Sequence, residues 1–346
     1  MNQTLNGIRR ILITILVAMG VGALFIIAIG ENPIDAYAAL FRGAFDGKLR
    51  LGTTLAGFTP LLLTSIAFAV AAKAGAFNVG VEGEVFLGGI TAAYIGINWT
   101  FLPKPALYVA CFVGAMVVAA AWAFIPAVLR AYYNVNEVCT TILMNTVALY
   151  ITSYLVSGPM SAGTANAQSL PVTVRLYQFM KPSSVNVGIA AITVIVIIFM
   201  LQKSSWGYKI RTVGLNPTHA DYVGIDSKKV FVGAMMLSGM LGGMAGCIEV
   251  LGVHGYFLNN FATGLGSNGM LAALIVKNNM VSTPFMAFFL AVLKSGAMGM
   301  QQSTGVPKSL VDTITAVFII IATMETAFQF TKKRKKKTEG KKEDKA

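Results

Sequence analysis

The stretch VACFVGAMVVAAAWAFIPAV, residues 109–128, runs without a single charged side chain. As a helix rising 1.5 Å per residue, it has the length of the ~30 Å hydrocarbon core of a bilayer. Apolar windows of similar or slightly shorter length cover residues 11–30, 187–200 and 230–250. In lipid, a helix pairs its own backbone groups, whereas an open sheet would leave them unpaired. The sequence therefore predicts an all-α, polytopic transmembrane helical bundle.

The preference for apolar residues extends over the whole chain of 346 residues, of which 55% are hydrophobic and 12% charged, with a mean hydropathy of +0.69. Soluble domains carry about 25% charged residues, so a soluble enzyme is excluded. Apolar runs and helix breakers predict about ten spans, two of them short and interrupted. The predicted spans are 11–30, 51–73, 76–98, 105–129, 137–156, 186–202, 231–250, 265–278, 282–298 and 309–329.

The charge distribution orients these spans. The net charge is +13, and a large share of it lies in the last segment, TKKRKKKTEGKKEDKA (331–346). Cytoplasmic loops are enriched in Lys and Arg, so an even number of spans with this tail predicts that both termini are cytoplasmic. We expect residues 1–330 to form the transmembrane domain and the tail to be disordered and to contact anionic lipid. No aromatic residue interleaves the lysines, so nucleic acid is not an expected partner.

Motifs for catalysis are missing from the sequence. Gly47 and Lys48 are followed by Leu49 and lack the spacing of a phosphate-binding loop. There is no HExxH motif, no GxSxG motif and no Ser/His/Asp set, and the two histidines are His219, in the connection 203–230, and His254. We therefore predict a transport function with no catalytic residues, no metal site and no cofactor.

Two apolar segments are interrupted by glycine and polar residues: AGAFNVGVEGEVFLGG (74–89) and GLGSNGMLAALIVKNN (264–279). A pair of interrupted spans in the two halves of a transporter points to a substrate site near the bilayer midplane. Intramembrane acids are rare and usually face a cavity, so Glu82 is predicted to line a polar path with Asn78, and Asn268 lies at the second break. The alternative is that the glycines permit close helix packing and the acids face water at a span end.

The segment NVNEVCTTILMN (134–145) opens another span. Asn136 and Glu137 suit a helix N-terminus, where Asn caps and Glu complements the helix dipole. A position on the pathway remains an alternative for both residues. Asn145 lies deeper in the span and is predicted to line the pathway.

Glycine spacing predicts tight packing in a later span. In LSGMLGGMAGCIEVLG (237–252), two pairs of glycines are four residues apart, a spacing that places small residues on one helix face. Glu249 near the end of this span is either solvated or part of the pathway. Glu82 and Glu84 are two residues apart, so on a helix they point to different sides and do not form a carboxylate pair.

The connection KSSWGYKIRTVGLNPTHADYVGIDSKKV (203–230) carries helix signals unlike those of a plain linker. Asn216-Pro217 indicates a turn, Pro217 suits a first helical position, and Gly224 suits a helix stop. A short amphipathic helix between them predicts a docking surface for a cytoplasmic partner.

Three of these segments together resemble one family. AFNVGVEGEVFLG is similar to FNIGAEGQ, the signature of permease subunits of nucleoside-type ABC importers, and NEVCTTILMN resembles their NEV-x-x-TI-x-LN segment. GYKIRTVGLNPTHADYVGID resembles their coupling loop, G-x-x-x-RAVGLNP-x-AA-x-x-x-GI, and the likeness extends over about residues 50–328. Sugar permeases of the wider family tend to carry GGIDLSVG at the first motif, which is absent here. Glu84, Thr212 and His219 depart from the pattern, in which Gln, Ala and Ala are usual.

The resemblance implies a multi-pass subunit in a bacterial cell membrane that imports nucleosides and is not itself an enzyme. It implies a cytoplasmic ABC ATPase docked on residues 207–226, a second related permease and an extracellular substrate-binding lipoprotein. Alternatives are a sugar-type ABC permease and an ion-coupled secondary transporter with Glu82 or Glu249 as its ion site. The expected pathway residues are Phe77, Asn78, Glu82, Asn136, Asn145 and Asn268; the expected coupling residues are Gly207, Arg211, Gly214, Asn216, Pro217, Ala220 and Gly224.

Overall fold

The computed structural model describes residues 19–183, 185–307, 309–314 and 316, and in this part of the chain the regular structure is helical. The first residues of the predicted span 11–30, the last residues of the span 309–329 and the basic tail 331–346 lie outside the described residues. The helices are α1 (Met19–Ala28), α2 (Pro33–Phe45), α3 (Gly47–Lys73), α4 (Val81–Asn98), α5 (Lys104–Tyr133), α6 (Glu137–Ser157), α7 (Asn186–Lys203), α8 (Ser205–Leu215), α9 (Pro217–Tyr222), α10 (Ser227–Ile248), α11 (Leu265–Ile275) and α12 (Thr283–Thr304).

The all-α class is thus confirmed. Among the described residues, 6 helices are long and apolar enough to cross a membrane, or up to 7 if α1 and α2, which meet at a 115° bend, count as one span. The sequence-based number of ten also includes the short interrupted helices α4 and α11, and it stays a prediction. Helix α2 was not predicted, although Asn32 caps it through the Ile34 amide at 3.0 Å and Pro33 takes its first turn.

Contacts divide the chain into two units. The larger, Gly47–Ala291, is built around α3, α4 and α10, which are mostly buried, with α5, α6, α7 and α11 packed against them. In helices α5, α6 and α7 most residues of the apolar window are exposed or partly exposed, as in lipid-facing helices.

Small residues hold α10 between α4 and α5. A Cβ at Gly246 would collide with the Val85 carbonyl of α4, and one at Gly243 would collide with the Ala115 carbonyl of α5. In lipid, helix association depends on this close van der Waals contact rather than on a hydrophobic driving force. The predicted glycine packing face is confirmed.

The smaller unit combines residues Met1–Asp46 and Val292–Ala346. Within it, the Tyr37 hydroxyl donates to the Met19 carbonyl oxygen at 2.6 Å, tying α2 to α1. Gly43 of α2 lies against Gly299 of α12, where added side chains would collide. Ile26, Leu40 and Met300 belong to its apolar core.

The connection between α6 and α7 is irregular and lies over the end of α10. The Ser169 amide donates to the Phe257 carbonyl oxygen and the Val172 amide to the Gly255 carbonyl oxygen, both at 2.9 Å. Beneath it α10 continues as one π-helical stretch, Glu249–His254. Glu249 is buried there, 3.4 Å from His254 Nε2, so the first of its two alternatives, a solvated carboxylate, does not hold.

Candidate functional site

The first interrupted segment leaves residues 74–80 without helical structure, so that α4 begins at Val81 rather than at residue 76. Gly75 has φ +80°, a left-handed conformation that glycine adopts without steric cost. Asn78 is fully buried and closes the turn, because its Oδ1 accepts from the Gly80 amide at 2.9 Å. The break is therefore a defined structure with its own hydrogen bonds, as irregular backbone at membrane depth requires.

Asn145 of α6 supplies the partners that the broken backbone lacks. Its Nδ2 donates to the Val79 carbonyl oxygen at 2.9 Å, and its Oδ1 accepts from the Gly83 amide at 2.8 Å. Gly83 lies in the first turn of α4, where amides have no partner within the helix. One side chain thus satisfies backbone groups on both sides of the break.

The second interrupted segment meets the first. Helix α11 begins after Gly264, and a Cβ at Gly266 would be 2.6 Å from the Glu82 amide nitrogen. Ser267 Oγ donates to Glu82 Oε2 at 3.3 Å. The N-terminal turns of α4 and α11 therefore converge on the partly buried Glu82 carboxylate, with both N-terminal dipoles favouring its negative charge.

Glu84 lies on the other side of α4. Its side chain is buried, with 1% exposed, and Oε1 accepts from Asn78 Nδ2 at 2.9 Å, while Asn78 also donates to Ser238 Oγ of α10 at 3.0 Å. Glu84 Oε2 has no hydrogen-bond partner among the described residues and lies against Gly242, where a Cβ would be 2.8 Å from it. The expectation that Glu82 and Glu84 face different surroundings is confirmed.

The remaining predicted pathway residues are placed as follows. Phe77 is partly buried with its ring edge-on to Phe68 at 5.0 Å, and Asn268 is partly buried in the first turn of α11. Asn136 is exposed and caps α6 through the Val138 amide at 2.9 Å. It lies nine residues before Asn145 on this helix, about 13 Å along its axis.

Five of the six residues thus lie at or beside the two breaks, and Asn136 lies apart from them. Glu137, its neighbour, pairs with Arg130 at 3.2 Å, which fits the capping interpretation of this turn. Sequence reasoning missed Ser238 and Ser267 as partners. Ser267 could have been found from its place beside Asn268 in the second break, whereas Ser238 is part of a small-residue face that suggested only packing.

The connection between α7 and α10 forms two helices where one was predicted. Helix α8 folds tightly back on the end of α7, because Gly207 lies against the carbonyl groups of Met200 and Leu201 and admits no side chain. At its other end, Gly214 packs against the carbonyl of Lys73, the last residue of α3. A Cβ at Gly75 would be 3.6 Å from Gly214 Cα, so α8 touches the beginning of the first break.

Helix α9 matches the predicted one. Asn216 Oδ1 accepts from the His219 amide at 3.0 Å, Pro217 is in the first turn, and Gly224 beyond its end has φ +80°. Ala220 is fully buried, whereas Leu215 and Tyr222 are 88% and 86% exposed. Leu215 and Tyr222 therefore form an exposed apolar surface, while the buried Ala220 anchors α9 to the rest of the protein. Arg211 lies on α8 and is partly buried.

Asp226 begins α10 after this connection. Its carboxylate accepts from the Lys229 amide at 3.0 Å, and this hydrogen bond holds the pKa of Asp226 below its usual value, with the Lys229 ammonium at 2.9 Å contributing. The connection is thus fixed to α10 by a charged N-terminal cap.

Comparison with known proteins agrees with this architecture. Residues 50–323 match the family described as branched-chain amino acid transport system / permease component. The chain is 33% identical to the guanosine ABC transporter permease protein NupP of Bacillus subtilis, over 94% of this chain and 96% of that protein. It is 32% identical to the glucose ABC transporter permease protein TsgB13 of Haloferax volcanii, over 89% and 85% of the two chains.

A third relative, the nucleoside ABC transporter permease protein NupB of Lactococcus lactis, is 30% identical over 92% of this chain and 91% of its own length. No solved structure matches the chain. The family match covers most of the sequence, including both interrupted segments and the connection between α7 and α10. The chain is a multi-pass membrane protein that belongs to the branched-chain amino acid transport system / permease component family.

Proposed function

We propose that the chain is the permease subunit of an ATP-driven importer for nucleosides. The main support for this proposal is the junction of the two interrupted helices at Glu82 and Ser267. The relatives of the chain also include guanosine and nucleoside permeases. Paired helix breaks are where transporters of this general design bind their cargo.

The chemistry around the junction fits a neutral, polar cargo with an aromatic ring. Amide, hydroxyl and carboxylate groups suit the hydroxyls of a ribose and the edge of a base, and Phe77 offers a ring face. Asn78 and Asn145 shape the break, because their side chains already bind backbone or buried partners. The proposed pathway consists of Phe77, Asn78, Glu82, Asn136, Asn145 and Asn268.

The surface of α8 and α9 is the proposed docking site of a cytoplasmic ABC ATPase. Exposed Tyr222 offers the kind of aromatic contact that is enriched at interface hot spots, and exposed Leu215 adds apolar area. Gly214 joins this surface to the beginning of the break, which gives a direct route from ATPase closure to the substrate path. The proposed coupling residues are Gly207, Arg211, Gly214, Asn216, Pro217, Ala220 and Gly224.

The assembly that we propose has this chain beside a second related permease in a bacterial cell membrane, with about ten spans in residues 1–330 and both termini cytoplasmic. An extracellular lipoprotein delivers the substrate. The basic tail 331–346 contacts anionic lipid, as clusters of Lys and Arg next to a membrane do.

A sugar is the second candidate cargo, because the Haloferax volcanii relative is a glucose permease with similar identity. Uptake of labelled guanosine in competition with unlabelled nucleosides, free bases and glucose separates the two. Competition by nucleosides alone supports the proposal, whereas competition by glucose alone supports the sugar permease.

The ATP-driven mechanism is tested by co-purification of the ATPase with tagged permease. Tyr222→Ala, on the docking surface, should weaken co-purification and ATPase stimulation. The matched control is Tyr177→Ala, which alters a tyrosine that is 75% exposed on the connection between α6 and α7. If replacing residues 207–226 as a whole leaves the ATPase bound, the docking surface is wrongly assigned, and uptake driven by an ion gradient without ATP would favour a secondary transporter.

A further inference from the structure

The hydrogen-bonding partner of the Glu82 side chain is neutral. Its carboxylate is partly exposed, and it accepts a hydrogen bond from the neutral Ser267 hydroxyl at 3.3 Å. Within the described ranges, none of the ion pairs of Lys, Arg or His involves Glu82. Three polar side chains at the two breaks, Asn78, Asn145 and Asn268, are neutral amides, and the buried Glu84 carboxylate accepts from Asn78 on the other side of α4.

The helix geometry fixes the position of the Glu82 carboxylate. Glu82 is the second residue of α4, and Ser267 is the third residue of α11, so the carboxylate lies at two helix N-termini at once. Helix dipoles favour a negative charge at their N-termini. Glu82 thus lies beside the proposed substrate path, and no basic side chain among the described residues is paired with it.

We infer that Glu82 is a charge filter, a specificity-determining residue that admits neutral nucleosides and rejects their phosphorylated forms. This inference rests on the proposed function. A nucleoside 5′-monophosphate carries a negative charge that Glu82 repels at close range, and the repulsion is strong where water is scarce. The uncharged nucleoside meets no such repulsion and retains Glu82 as a hydrogen-bond acceptor.

The experiment measures dissociation constants by equilibrium dialysis on the purified permease–ATPase complex without the binding lipoprotein, which would otherwise select the solute first. The probes are guanosine and guanosine 5′-monophosphate. Glu82→Gln removes the charge and keeps the shape, and Glu82→Asp keeps the charge. Glu84→Gln is the matched control, because Glu84 is buried on the other side of the same helix.

We expect Glu82→Gln to shift the ratio of the two dissociation constants toward the monophosphate by about tenfold, the order of effect of one nearby charge. The ratio in Glu82→Asp and Glu84→Gln should stay as in the unaltered complex. An unchanged ratio in Glu82→Gln, an equal shift in Glu84→Gln, or no measurable monophosphate binding by any variant overturns the inference. Failure of the unaltered importer to take up guanosine in cells contradicts the proposed function instead.

Discussion

Gly214 of α8 packs against Gly75 of the first break, so that a Cβ at Gly75 would be 3.6 Å from Gly214 Cα, and a Cβ at Gly214 itself would collide with the Lys73 carbonyl oxygen. Gly214→Val should push α8 away from the first break and so uncouple guanosine transport from ATP hydrolysis. We expect ATP hydrolysis by the assembled importer to continue while guanosine uptake falls by tenfold or more, about the effect of 1.4 kcal/mol on a coupling equilibrium. Parallel assays of both activities check this.

Gly57→Val is the control for that substitution, because nothing lies within 4 Å of a Cβ at Gly57 of α3. It should leave the ratio of transported nucleoside to hydrolysed ATP unchanged. Equal losses of both activities in Gly214→Val would mean that the contact only supports folding.

Asn145→Ala should destabilise the larger unit. The change leaves the Val79 carbonyl and the Gly83 amide without their partners, at a cost of about 1–3 kcal/mol for each buried group. The measurement is the temperature at which the detergent-solubilised protein loses its monodisperse elution peak. Thr146→Ala, at the exposed neighbouring position, should elute like the unaltered protein after the same heating.

Gly246→Val should disrupt the contact between α10 and α4, because the added side chain meets the Val85 carbonyl and the Gly89 amide. Overpacking of this kind costs about 1–3 kcal/mol. Gly188→Val, at an open position of α7, is the control. The same assay measures the temperature at which each variant loses its monodisperse elution peak. If Gly246→Val and Gly188→Val lose it at the same temperature, the described packing is contradicted.

The Asp226 cap predicts one acid-sensitive contribution to stability. Because the folded-state pKa of Asp226 lies below its unfolded value of about 3.9, the contribution is fully present above that pH and disappears as pH falls through the folded-state pKa. Asp226→Asn keeps an oxygen that accepts from the Lys229 amide but does not titrate. Its thermal stability should therefore fall less between pH 5 and about 3 than that of the unaltered protein. If thermal stability falls equally with pH in Asp226→Asn and in the unaltered protein, the role of this carboxylate is contradicted.

Much of the architecture follows from local sequence. Apolar length predicts α3, α5 and α10, and Pro217 with Gly224 predicts α9, because these signals act within one helix. Helix α2 carries equally clear caps at Asn32 and Pro33, but its mixed composition hides it from a search for apolar runs.

The site was harder to predict than the helices. Glycine spacing identified both breaks, yet nothing in the sequence indicates that Ser267 reaches Glu82 or that Asn145 satisfies Val79, since these contacts join residues 185 and 66 positions apart. Asn145 was expected to face the pathway because it is polar and deep. The contacts give it a different physical reason to be there: a broken helix in lipid needs donors and acceptors from a neighbouring helix.

The most direct test of the account is uptake by proteoliposomes that contain this permease, its partner permease and the ATPase, with the binding lipoprotein outside and ATP trapped inside. We predict ATP-dependent accumulation of labelled guanosine that excess unlabelled nucleoside abolishes and excess glucose does not. Accumulation of glucose in place of guanosine, or guanosine uptake that needs no ATP, would contradict the central claim that this chain forms the path of an ATP-driven nucleoside importer.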